Sequence, residues 1–230
     1  MAARLRSACA ILAVLTLSAT AAPLPSDPRT AKAVQDYLRQ QQAEDSKDKD
    51  ERVAAHLDAL ADNPASPVIA NPQGDVTIVE FFDYTCPYCK AAEPRLMHLV
   101  DGDKRVKLVM KEFPILTKPS LVASRMALAA AKQGKYRAFH LAMMHREGLW
   151  GDAEVMETAK SVGVDVARAK RDMVAPDVTD EIIANFNLAR GIRVFQTPAY
   201  IVGAHLVTGN SADIDFAKEV GRAKGQAQHR

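Results

Sequence analysis

Cysteine is scarce in this 230-residue chain: Cys9, Cys86 and Cys89 are all there is. So few cannot staple a fold. A chain of this length buries a sizeable core without bridges, and a bond across two intervening residues closes too short a loop to stabilise much. Excess charge is also lacking. Thirty Lys and Arg face 28 Asp and Glu, a formal net charge of +2, which gives no electrostatic reason to expect nucleic acid or an anionic membrane surface as partner. No apolar run reaches the roughly 20 residues of a spanning helix, and no internal repeat with a period of about 20 to 50 residues is visible.

What is present begins with a basic start, Arg4 and Arg6, a short apolar stretch from Ala8 to Leu17, and Ala19-Thr20-Ala21. These are the parts of a cleaved secretory signal, assigned to residues 1–21, so the mature chain is expected to be exported. Cys9 leaves with the signal, and loss of the two arginines brings the net charge close to zero.

Residues 22–63 are read as an N-terminal helical segment with a charged linker. Between Thr30 and Asp62 there is no Gly or Pro, and two narrow apolar stripes appear, Val34, Tyr37, Leu38 and Val53, Leu57, Leu60. The stripes are too thin to build a core alone. They either dock on the main domain or pair with copies of themselves. The charged stretch from Ala43 to Arg52 between them reads as a mobile link, and Asn63-Pro64 closes the region.

The main domain is assigned to residues 64–225. A short strand is expected near Val68 and a strong one over Val76 to Phe82, apolar enough to be covered on both faces. Glu80 interrupts it. By period two it shares a face with Ile78 and Phe82, so its carboxyl is expected to be buried. A helix follows to about Val100, with Pro94 expected to kink it, then a strand over "RVKLVMKEF". Helices come next: Ser120 to Lys132, Tyr136 to His145, Asp152 to Ser161, Asp165 to Val174 and Val178 to Gly191. A hairpin about a type II′ Gly203-Ala204 turn precedes a last helix from about Ser211 to Lys224. The order implies an α/β domain carrying a helical insertion at about residues 114–191.

The chemistry concentrates in "FFDYTCPYCK", Phe81 to Lys90. If a helix starts at Cys86, Pro87 stands in its first turn, where a missing N–H costs nothing. Cys86 then faces solvent beside unpaired N–H groups and the positive end of the helix dipole, while Cys89 lies deeper on the same face. One thiol is set up as nucleophile, the other as resolver. Glu80 beneath the helix is a candidate to exchange protons with the inner thiol, its pKa raised by burial. The structural alternative for Glu80 is a salt bridge with Lys111 on the neighbouring strand.

Taken together, "VTIVEFFDYTCPYCK", the charged N-terminal segment, "SPVIANPQGDVTIVEFFDYTCPYC" and "KEFPIL" resemble the DsbA-like branch of the thioredoxin fold, and most of all the suppressor-of-copper-sensitivity C (ScsC) disulfide isomerases. The resemblance implies a thioredoxin fold with a helical insertion and an N-terminal oligomerisation segment, and a periplasmic thiol-disulfide oxidoreductase acting as a disulfide isomerase, with no cofactor. It makes Cys86 the attacking cysteine, Cys89 the resolving one and Glu80 the buried acid. Thr197 and a cis Pro198 then face the active site and, with Pro87 and Tyr88, meet the substrate. Exported cysteine-containing proteins become the substrates, a membrane thiol-disulfide reductase a partner, and a homotrimer through the N-terminal segment the assembly.

Two other classes stand beside this one. A soft-metal carrier would use both thiolates for Cu(I) or a similar ion, but His98, His140, His145, Met143 and Met144 are weak candidates to complete its ligand set, and no metal is assigned. An inert interaction protein keeping the fold alone is opposed by the joint presence of Glu80, Pro87 and Thr197-Pro198.

Overall fold

The computed structural model describes residues 47–207 and 211–227. The expected signal, with Cys9, the stripe Val34, Tyr37, Leu38 and the start of the charged link lie outside the described residues. Residues 47–54 form helix α1, followed by α2 (Leu57–Ala61), β1 (Val68–Ala70), β2 (Val76–Phe82), α3 (Pro87–Gly102) and β3 (Val106–Glu112). Five helices come next: α4 (Lys118–Ala131), α5 (Tyr136–Met144), α6 (Asp152–Ser161), α7 (Val166–Asp172) and α8 (Pro176–Gly191). The chain ends on β4 (Ala199–Val202), β5 (His205–Val207), a 3-10 turn over Ser211–Asp213 and α9 (Phe216–Ala227). No helix among the described residues is long and apolar enough to cross a membrane.

The strands form one sheet in the order β1-β3-β2-β4-β5. β2 runs parallel to β3, in register Glu80 to Met110, and antiparallel to β4, in register Glu80 to Tyr200. A parallel pair needs a crossover between its strands, and α3 supplies it. Period two then divides the core. Ile78, Phe82, Leu108, Met110 and Tyr200 face α3 and helices α4 to α7 of the insertion, while Val79, Phe81, Val109 and Ile201 face the opposite layer, where Leu188 and Ala189 of α8 pack. At the β4–β5 hairpin Gly203 takes φ 62° between the paired Val202 and His205, the positive φ expected of a first central turn residue.

Helix starts follow their caps more closely than their apolar periodicity. α4 starts at Lys118, two residues before Ser120, because the Thr117 hydroxyl accepts from the Ser120 N–H at 3.2 Å and Pro119 fits in the first turn. The last helix is not continuous from Ser211. Asp215 accepts from the Lys218 N–H at 3.0 Å and sets the start of α9 there, leaving the short 3-10 turn ahead of it.

Of the two outlets open to the second stripe, the structure takes docking. Val53 and Leu60 have no exposed surface and pack with Val79, Phe81, Val109 and Ile201, with Leu57 at the margin. The described part of the charged link is helical and pinned, which corrects the expectation of a mobile stretch there. Asp50 lies 2.8 Å from His205 Nδ1 and accepts from the Leu206 N–H at 3.4 Å. Lys111, fully buried on the same layer, donates to the Ala59 carbonyl at 2.9 Å and to Ser66 Oγ at 2.7 Å, and Ser66 in turn donates to Glu181. A buried ammonium that caps the end of α2 ties that helix to the sheet.

Leu60→Ala is therefore expected to destabilise the protein by about 3 kcal/mol, the usual scale for emptying a fully buried leucine site, read as a lowered midpoint in denaturant unfolding with an unchanged slope.

Candidate active site

Cys86 is the N-cap of α3, in extended conformation, and Pro87 is the first helical residue. The Cys86 sulfur accepts from the Cys89 N–H at 3.4 Å and donates to the Thr197 carbonyl at 3.3 Å. That second contact corrects one expectation: Cys86 does not face open solvent but is 2% exposed, because the Thr197 segment lies over it. The Thr197-Pro198 peptide is cis, as expected. Pro87 and Tyr88 project outward, Tyr88 at 61% exposure. Both cysteines are free thiols.

The two thiols are made unequal by their surroundings. Cys86 is lowered to about 6. The Cys89 thiol, hydrogen-bonding to it, is the largest influence; burial opposes, and contact with Thr197 and the N–H groups of Cys89 and Tyr88 add to the lowering. Burial pushes Cys89 far up instead, helped by its bond to Cys86 and by the charge of Glu80.

Glu80 is wholly buried, as period two requires, and neither carboxyl oxygen has a hydrogen-bond partner. Tyr200 stands directly across on β4, close enough to influence Glu80, but its hydroxyl is not in bonding geometry either. Desolvation is the main cause that raises the Glu80 pKa well above the carboxylate range, followed by the negative charge of Glu93. Lys111 is not its partner. In the register of β2 and β3, Lys111 pairs with Phe81 and points to the opposite face, which removes the salt-bridge alternative.

Asp83 fixes the turn between β2 and α3. Its Oδ1 accepts from the Thr85 N–H and hydroxyl, both at 2.7 Å, and from Ser120 Oγ at 2.6 Å, while Oδ2 accepts from the Leu116 N–H at 3.0 Å. The Asp83 carbonyl accepts from the Cys86 N–H at 3.0 Å, so the helix start that the chemistry needs is held by this aspartate. The Asp-x-Thr pattern of a local side-chain turn was the available signal for it.

The sequence reading also missed a buried polar cluster behind the site. Glu93 Oε1 lies 3.1 Å from His140 Nε2, His140 Nδ1 lies 3.3 Å from the Tyr84 hydroxyl, and Tyr84 and Tyr136 donate to Glu112 Oε1 at 3.2 and 2.8 Å. Burial raises Glu112 to about 8. Of the metal candidates, His140 belongs to this cluster, Met143 and Met144 are core residues, and His98 is exposed. Among the described residues no three His, Cys, Asp or Glu side chains group so as to hold a metal ion.

This arrangement, a helix-start thiol of low pKa over a buried thiol and an unpartnered carboxyl, is that of a dithiol exchange centre. Residues 77–220 match the model of the DSBA-like thioredoxin domain, and the chain belongs to that family. It is 44% identical to a thioredoxin-like oxidoreductase from Silicibacter pomeroyi of known structure, covering 73% of this chain and 97% of that one with a TM-score of 0.69. The catalytic domain of Proteus mirabilis ScsC is 25% identical, over 77% of this chain and 97% of that one, with a TM-score of 0.67. The thiol:disulfide interchange protein DsbA of Bordetella parapertussis is 29% identical over 153 residues, 64% of this chain and 71% of that protein. Two further relatives are spanned over less than two thirds of their own length: 61% of a Rickettsia typhi protein named as a protein-disulfide oxidoreductase and 20% of the Na(+)/H(+) antiporter NhaA 3 of Salinispora tropica.

An ultraviolet thiolate titration of the reduced protein is expected to show one transition near 6, lost in Cys86→Ala. Because the folded value lies below the ordinary thiol value of 9.0, the associated stabilisation of the reduced form is full above pH 9 and is lost as pH falls through 6. Denaturant unfolding of the reduced form should follow that trend, and the disulfide form, which has no such proton, should not.

Proposed function

We propose that this chain is a periplasmic thiol-disulfide oxidoreductase that works as a protein disulfide isomerase on exported, cysteine-containing proteins. The observation that carries the exchange chemistry is the split between the two thiols over the unpartnered Glu80. In the reduced enzyme the Cys86 thiolate attacks a substrate disulfide, and one substrate sulfur leaves with the electron pair, giving a mixed disulfide. Either another substrate thiolate then displaces Cys86, which completes an isomerisation with no net electron transfer, or Cys89 resolves the intermediate. In the second case Glu80, having released its own proton once the Cys86 charge that helps hold it is lost in the mixed disulfide, takes the proton of Cys89 as Cys89 attacks Cys86 Sγ, the substrate thiolate leaves, and two electrons have passed to the substrate. In the reverse direction Cys89 departs as a buried thiolate and recovers that proton from Glu80. Each step uses only side chains of the enzyme and substrate, so no cofactor is invoked.

Substrate contact is supported by what flanks Cys86. The Thr197 backbone lies over the sulfur, and Pro198 has no N–H to compete for it. On the other side opens a groove of about 920 Å³, lined among others by Pro87, Leu116, Pro119, Met144, Leu149 and Trp150. Leu149 and Leu116 are exposed there, a surface that suits the apolar segments an unfolded client presents.

Isomerase activity requires that Cys86 stay reduced, which calls for a membrane reductase as partner and for protection from reoxidation. The residues before 47 support that reading. The stripe Val34, Tyr37, Leu38 remains to assemble a homotrimer, and several catalytic domains around one bundle raise the local concentration of thiols at a client. A monomeric dithiol oxidase is the second reading, favoured by the docking of Val53 and Leu60 on the domain, which withdraws the second stripe from contacts between chains.

Light scattering on the mature chain should give a trimer, and on a chain beginning at Lys47, which keeps Val53 and Leu60 in the core, a monomer. The trimer is expected to refold a scrambled disulfide substrate. The shortened chain should lose that activity while keeping or gaining dithiol oxidation. A monomeric mature chain that oxidises dithiols would establish the second reading instead.

A further inference from the structure

Lys90 takes no part in the exchange steps, yet it stands one helical turn from the attacking sulfur, its N–H donating to the Cys86 carbonyl at 3.1 Å. Its half-buried side chain crosses from α3 to the end of α5. There Nζ donates to the Met143 carbonyl at 3.1 Å and to the Arg146 carbonyl at 2.5 Å. A helix C-terminus leaves carbonyls without intrahelical partners and carries the negative end of the dipole. The last turn of α5 holds no basic residue of its own, so the cation that caps it comes from the active-site helix.

This cap holds one wall of the groove beside Cys86. After Glu147 the chain reaches Gly148, which takes φ 73°, a conformation open to glycine without strain. Leu149 follows, wholly exposed, beside the half-buried Trp150. At the far end the Gly151 N–H donates to Glu154 Oε2 at 2.8 Å, and the Arg146 guanidinium donates to Thr158 Oγ1 at 3.2 Å and Glu157 Oε2 at 3.1 Å. These bonds tie the loop to α6, while Lys90 ties it to the helix that carries the sulfurs. Thr85 and Pro87, on either side of Cys86, line the same groove as Leu149 and Trp150. The groove begins where a mixed disulfide forms, so its occupant is the stretch of client that adjoins the bonded cysteine.

We propose that Lys90 is a positioning residue for client binding: its ammonium fastens residues 145–150 to the first turn of α3, so that Leu149 and Trp150 meet an apolar segment beside the client cysteine joined to Cys86. Lys90 acts through the loop and has no role in the sulfur chemistry. The tether makes the distance from Cys86 to the apolar wall a fixed one, which favours clients whose apolar residues lie close to the cysteine. The inference rests on the reading of the groove as a client surface.

The test compares two disulfides, each in excess over the reduced, full-length protein. One is a disulfide-linked pair of short peptides with leucine and phenylalanine beside the cysteine. The other is 2-hydroxyethyl disulfide, which has no apolar segment. The peptide rate divided by the small-disulfide rate is expected to fall about fivefold in Lys90→Met, which keeps the aliphatic stem and removes the donors. The loss should lie in half-saturation by peptide and not in the limiting rate; a plain cap on α5 would lower thermal stability and leave the ratio alone. Leu149→Ala should lower the ratio by a similar factor, and the double variant no further than the lower single one, because both act through the same wall. Should Lys90→Met not fold, Lys90→Gln takes its place. An unmoved ratio in the folded Lys90 variant, or additive losses in the double variant, overturns the inference, while a lowered ratio in Leu149→Ala leaves the groove standing as a client surface. An unmoved ratio in Leu149→Ala overturns both, and a changed oligomer of that variant in light scattering would then assign the groove to a second copy of this chain.

Discussion

Glu80 stands between Val79 and Phe81 in a strand covered on both faces, with no hydrogen-bond donor on either oxygen. Ionised and alone there, a carboxylate costs several kcal/mol in lost hydration, and the fold lowers that cost only by letting the group hold a proton. The same dryness acts on Cys89 above it, and the charge of Glu80 raises that thiol further. Cys86 escapes because it caps α3 and takes hydrogen bonds that favour its charge. Redox state and protonation are thereby linked. A Cys86 thiolate adds to the negative field at Glu80, and disulfide formation removes it, so reduction of the pair draws a proton inward and oxidation releases one.

That linkage depends on elements far apart in the chain. β2 supplies the carboxyl, α3 both sulfurs and Glu93, β4 Tyr200, and the Thr197 loop the cover on Cys86. The helical insertion takes part through α4 and α5. Ser120 at the start of α4 holds Asp83, and with it the turn that begins α3. From α5 come His140 and Tyr136, which close the polar cluster on Glu112 of β3. A buried polar network tolerates few alternative arrangements, because each unmade bond in a low-dielectric interior is costly. The insertion therefore fixes the orientation of the groups behind the site as well as adding apolar surface.

What the sequence disclosed, and what it did not, divides along local and long-range determinants. Period two placed Glu80 in the interior, and the Cys-Pro-Tyr-Cys spacing placed a helix start on Cys86, because both follow from a few neighbouring residues. The cover on Cys86 comes from Thr197, 111 residues away, and was reached only through the family resemblance, not through any local pattern. The alternative of a Lys111 salt bridge could not be closed from the sequence because a single-residue offset in register decides the face, and the register of β2 and β3 is set by the whole pair. Glu93, His140, Tyr84 and Glu112 join across separations of 28 to 56 residues. The one local sign of that cluster was Glu93 on the helical face of a cysteine expected to be buried, where a carboxyl needs a partner.

The N-terminal region shows the same division. Its second stripe, three residues wide, leaves docking and self-pairing equally open in the sequence. Docking prevails because the stripe finds more than apolar surface: the buried Lys111 reaches the carbonyl of Ala59, and Asp50 meets His205 and the Leu206 N–H at the edge of β5. These polar ties give α1 and α2 a defined seat on the sheet. Replacing Asp50 with Asn would remove the carboxylate while keeping an acceptor, which separates the contribution of this polar contact from that of the buried Val53 and Leu60. The apolar contacts carry most of the seating energy, because a half-exposed pair such as Asp50 and His205 contributes at most about 1 kcal/mol, whereas each fully buried aliphatic side chain contributes about 1.5 to 3 kcal/mol.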